Sequence, residues 1–73
     1  MTTTLQERLD EYKLLMEEIH TNYRYGRAFV QAVLIAVTTC KDTTSRNEYI
    51  TCMGNKFSIP TEKVERTIAL LPA

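Results

Sequence analysis

The stretch HTNYRYGRAF, residues 20 to 29, gathers the chain's single histidine, two arginines, two tyrosines and a phenylalanine around one glycine. Arginine and tyrosine each combine a large contact area with a polar tip, and they are enriched where interfaces hold tightest. His20, Arg24, Tyr25 and Arg27 therefore form a candidate partner-binding patch, suited to an acidic segment of another protein or to a phosphate. The competing reading is structural: the arginines pair with Glu17, Glu18 or Glu48, and the tyrosines pack under a turn between two helices.

Catalytic chemistry finds less support. His20 is the sole imidazole, so it is the only histidine base available to a nucleophile at Cys40, Cys52, Ser45 or Ser58. Its simpler role is to complement the dipole at a helix end. Glu17 and Glu18 are adjacent, and neighbouring helix residues point apart, so they do not share a proton across one site. His20, Cys40 and Cys52 are the only soft metal ligands, with no Cys-x-x-Cys or His-x-x-x-His pair to organise them; two small buried thiols are the plainer expectation. Gly26 and Gly54 stand alone, which leaves no glycine-rich phosphate loop. The expectation is a non-enzymatic protein without catalytic residues, metal or cofactor.

The size and charge of the chain narrow its function further. At 73 residues it forms one domain at most. A domain of that size buries only about 60 % of the surface its unfolded chain exposes, so disulfides, a metal or a partner chain usually supplement it. Nine basic and nine acidic side chains cancel, so no global field draws the chain to nucleic acid or to an anionic membrane. The stretch MTTTLQERLDEYK carries charges at Glu7, Arg8, Asp10 and Glu11 where a secretory signal needs an unbroken apolar run. A cytoplasmic location with reduced thiols is expected.

Any site must be positioned by helices. Thr4 and Glu7 have capping-box spacing. From there Leu5, Leu9, Tyr12, Met16, Ile19 and Tyr23 recur at steps of 4, 3, 4, 3 and 4, with acids opposite at Glu7, Glu11, Glu17 and Glu18. The stripe reads either as a dimer or partner seam, carried by Leu5, Leu9, Tyr12, Met16 and Ile19, or as an amphipathic helix facing its own core. Residues 28 to 37, AFVQAVLIAV, hold one polar side chain, Gln31. A helix apolar on nearly every face needs cover on nearly every face. The run is about half the roughly 20 residues of a membrane span, so membrane insertion is not expected. Within this rod Leu34 is expected to be buried, with a cost of about 2 to 5 kcal/mol on truncation to Ala.

A second capping-box spacing, Ser45 with Glu48, opens a short third helix that Gly54 closes as a left-handed cap. Asn22 and Gly26 are the candidates for left-handed angles at the first reversal. Pro60 fits the first turn of a last helix carrying Val64, Ile68 and Leu71, and Pro72 ends it.

The fold expected is all-α: a single domain over residues 1–73 made of a bundle of three to four helices, at about 4–21, 26–40, 45–53 and 60–71. The apolar second helix is central, and two copies complete its cover as a homodimer. The function that follows is a protein-interaction module, a regulator, adaptor or inhibitor of a protein partner. The alternative is a small DNA-binding regulator using residues 45–71 as a helix-turn-helix, with Lys56, Lys63 and Arg66 as nucleic-acid contacts. Against it, Glu62 and Glu65 share the would-be recognition helix with those cations, and Gly54 to Pro60 is longer than the motif's turn.

Overall fold

A computed structural model describes residues 4–72, which fold into four α-helices with no strand among them. They are α1 (Leu5–Asn22), α2 (Gly26–Thr39), α3 (Thr43–Lys56) and α4 (Thr61–Leu70). Each packs against two others: α1 on α2 and α4, and α3 on α2 and α4. The backbones of the diagonal pairs stay apart, so the helices form a ring around one core. Ile19, Phe29, Val33 and Ile50 are completely buried in that core, and Met16, Ile59 and Val64 nearly so.

The helix starts follow from side-chain caps. The Thr4 hydroxyl accepts from the Glu7 backbone N–H at 3.1 Å, as the first capping spacing predicts. The third helix differs. Its cap is Asp42, whose carboxylate accepts from the Ser45 backbone N–H at 2.7 Å, so the helix begins earlier than Ser45. These bonds to the charged form hold the Asp42 carboxyl below its ordinary range. At the end of α2 the Thr38 and Thr39 hydroxyls donate to the Leu34 and Ile35 carbonyls, offering the backbone an alternative to further helix.

Both glycines act through close approach and not through left-handed angles. Neither has positive φ, and Asn22 lies inside α1; the one left-handed residue described is Ser58, at φ 58°. A Cβ on Gly26 would lie 1.7 Å from the Ile19 carbonyl oxygen, so only glycine lets α2 start hard against α1. Gly54 is not a cap. It lies inside α3, which runs to Lys56, and an added Cβ would meet Val64 Cγ2 at 2.4 Å, where α4 nests against α3. The four residues from Phe57 to Pro60 then connect α3 to α4, a shorter link than one counted from Gly54.

Candidate functional site

The predicted seam divides. In the C-terminal half of α1, Leu15, Met16 and Ile19 are buried in the molecule's own core. In the N-terminal half, Leu5 is 72 % and Leu9 45 % exposed, and Tyr12 is half-buried. The same periodic stripe thus serves two surfaces, because α2 and α4 cover only its second half.

The uncovered half does not stand alone. At the end of the bundle where α1 begins and α2 and α4 finish, Leu5, Leu9 and Tyr12 form one wall of a groove of about 270 Å³. Leu34 and Val37 of α2 form a second wall, and Leu70, Leu71 and Pro72 a third. The Arg46 guanidinium donates to the Pro72 carbonyl, tying that third wall to α3. Burial pushes the Tyr12 phenol above its ordinary pKa. Leu34 is 55 % exposed, so its expected burial is overturned. An apolar run on every face hides which face the neighbours take. Here they take Phe29, Ala32, Val33 and Ala36 and leave Leu34, Ile35 and Val37 in water.

The tyrosine-arginine corner lies at the opposite end, formed by the α1–α2 and α3–α4 connections. The Tyr25 ring, 48 % exposed, packs 6.3 Å from the Phe57 ring at 33°. The Arg24 guanidinium sits 5.6 Å from the Tyr25 centroid and the Lys56 ammonium 5.9 Å from that of Phe57, both within cation–π range. The structure thus joins Arg24 and Tyr25 to Lys56 and Phe57, a grouping of two helix ends that sequence spacing did not reveal. Arg27 is exposed in the first turn of α2. His20 is exposed in the last turn of α1 and lines a separate shallow recess with Met16, Glu17 and Val30. Among the described residues neither Arg24 nor Arg27 forms an ion pair with Glu17, Glu18 or Glu48.

The cations of α4 have partners within the fold. Lys63 Nζ lies 2.8 Å from Glu18 and Arg66 2.9 Å from Glu11, tying α4 to α1. The hydrogen bond to Glu18 raises the Lys63 pKa. Of the three candidate nucleic-acid contacts, Lys63 and Arg66 therefore face α1, while Lys56 belongs to the aromatic corner. Cys52 is exposed on the outer face of α3 and Cys40 half-buried, which corrects the expectation of two buried thiols; both are free. Among the described residues no three His, Cys, Asp or Glu side chains converge on a point. No helix there is long and apolar enough to cross a membrane.

Compared with known proteins, the chain matches no protein family, no curated protein and no solved structure.

Proposed function

We propose that this protein is a non-enzymatic helical interaction module that acts as a regulator, adaptor or inhibitor by taking an apolar-faced helix of another polypeptide into the groove at the end of its bundle. The observation that carries this reading is the gathering of Leu5, Leu9, Leu34 and Val37, each at least 44 % exposed, into one concave surface. Exposed leucines scattered singly need no explanation, whereas aliphatic side chains from three helices gathered in one groove support the reading of an interaction surface. The two free cysteines suit action in a reducing compartment such as the cytoplasm.

The homodimer is the second reading, and the same surplus apolar surface favours it, since a second copy would supply the burial a small domain lacks. The DNA-binding reading gains a four-residue turn between α3 and α4, within the range a helix-turn-helix uses. It keeps its electrostatic difficulty, because Glu62 and Glu65 remain on α4 and both α4 cations are engaged by α1.

Affinity capture from host extract with wild-type and Leu34→Asp baits tests the proposal. A partner held by the wild type, lost by Leu34→Asp and kept by an Arg24→Ala/Arg27→Ala bait supports the groove. A partner indifferent to Leu34→Asp overturns it. Sedimentation of the same proteins separates the second reading: an 8.4 kDa species leaves the groove to another protein, and a dimer that Leu34→Asp splits assigns it to a second copy.

A further inference from the structure

Resting on the groove reading above, we propose that the occupant is an amphipathic helix whose apolar stripe is flanked by acidic residues, carried by a protein other than this one. Shape supports a helix. The groove, about 270 Å³, is lined by aliphatic side chains on three sides and has room for the tips of a few more. An amphipathic helix presents such anchors at i, i+3, i+4 and i+7.

Charge sets the kind of helix. Arg8 is the one charged side chain lining the groove. Past Val37 and Pro72 the surface continues into a cleft that carries Lys41 and Arg46. Asp42 is the one acid in that cleft, and its carboxylate keeps its negative charge while it accepts from the Ser45 backbone N–H. No acid of α1 lines the groove, and two of them, Glu11 and Glu18, are paired with Arg66 and Lys63 of α4. Three cations, Arg8, Lys41 and Arg46, against the one acid, Asp42, leave the lining of the groove and cleft net positive. Glutamates flanking a bound helix would find opposite charges at the rim, and lysines would be repelled.

The same pattern disfavours a second copy docked through α1. Arg8 precedes Leu9 and Lys13 follows Tyr12, so basic residues lie on either side of the Leu5–Leu9–Tyr12 stripe. Two α1 helices packed along that stripe would set Arg8 against Lys13 of the copy in parallel register and each cation against its own counterpart in antiparallel register, where like charges destabilise.

The test uses two synthetic helical peptides of about four turns with one leucine stripe, flanked by glutamate in the first and lysine in the second, titrated against the full chain by fluorescence anisotropy. At low salt the glutamate peptide is expected to bind at least about tenfold more tightly, the sum of several rim pairs of surface strength. The gap should narrow as salt rises. Arg8→Glu combined with Lys41→Glu should reverse the preference, and Leu34→Asp should weaken both peptides by about tenfold or more. Leu9→Asp provides the same test should Leu34→Asp fail to fold. Equal binding of the two peptides, or tighter binding of the lysine peptide, overturns the acidic occupant but leaves the groove reading standing if Leu34→Asp still weakens both. No binding, or binding that neither aspartate variant alters, overturns both. A wild-type dimer split by Leu34→Asp, or decanoate binding more tightly than the glutamate peptide, gives the groove to a different occupant and overturns the inference.

Discussion

Replacing Gly54 by Ala should destabilise the protein, although the same change inside an ordinary helix stabilises it. Removing a helical glycine gains roughly 0.5 to 1 kcal/mol of backbone entropy. At this site the new methyl would lie 2.4 Å from Val64 Cγ2 and 3.4 Å from Cγ1. Carbon atoms pack best at about 3.5 to 4.0 Å, so α3 and α4 must separate by about 1 Å or Val64 must turn. Val64 is only 5 % exposed and β-branched, so it has little freedom to turn. Overpacking of this kind costs about 1 to 3 kcal/mol, which set against the entropy gain leaves a net loss of up to about 2.5 kcal/mol. In a domain this small each kcal/mol lowers Tm by about 4 to 8 °C, readable by circular dichroism. The cause can be isolated. Val64→Ala removes the Cγ2 methyl that clashes, so Gly54→Ala/Val64→Ala should lose less than the sum of its single changes, with a coupling of about 1 kcal/mol. A Gly54→Ala protein that melts higher than the wild type, or strict additivity, would refute the close-packing account.

Gly26→Ala should be worse, because the clash at 1.7 Å is with the Ile19 backbone oxygen, which no rotamer change relieves; loss of the cooperative melt is expected, and a wild-type Tm would contradict the helix contact. Leu34→Ala should cost under about 1 kcal/mol in urea unfolding, since a half-exposed leucine leaves no cavity, whereas Phe29→Ala should cost about 3 to 5 kcal/mol. Asp42 contributes stability that is present above its unfolded pKa of about 3.9 and lost as pH falls through its lower folded value. Asp42→Asn, a neutral cap, should flatten that acid-side slope of the stability curve.

Much of the fold was legible because periodicity records which residues share a face. The steps of 4 and 3 along α1 placed Leu5, Leu9, Tyr12, Met16 and Ile19 on one stripe, and the caps and prolines separated four helices. Where α2 and α4 end, and so which half of that stripe is covered, depends on packing between distant segments. The apolar run of α2 concealed its exposed face for the same reason: Phe29 and Leu34 look alike in sequence, yet one is fully buried and the other 55 % exposed. Gly54 followed by Asn55 carries the signature of a helix end, but the requirement that decides the position is space for Val64. The pairing of Tyr25 with Phe57 joins residues from separate connections, which no local spacing encodes.

Methyl-resolved NMR of the full chain titrated with the glutamate-flanked peptide tests the central claim most directly. Shifts should gather at Leu5, Leu9, Leu34, Val37, Leu70 and Leu71, while Ile50 and Val64 in the core stay in place. Shifts confined to the Tyr25–Phe57 corner, or groove methyls already in contact with a second copy before any peptide is added, would contradict it.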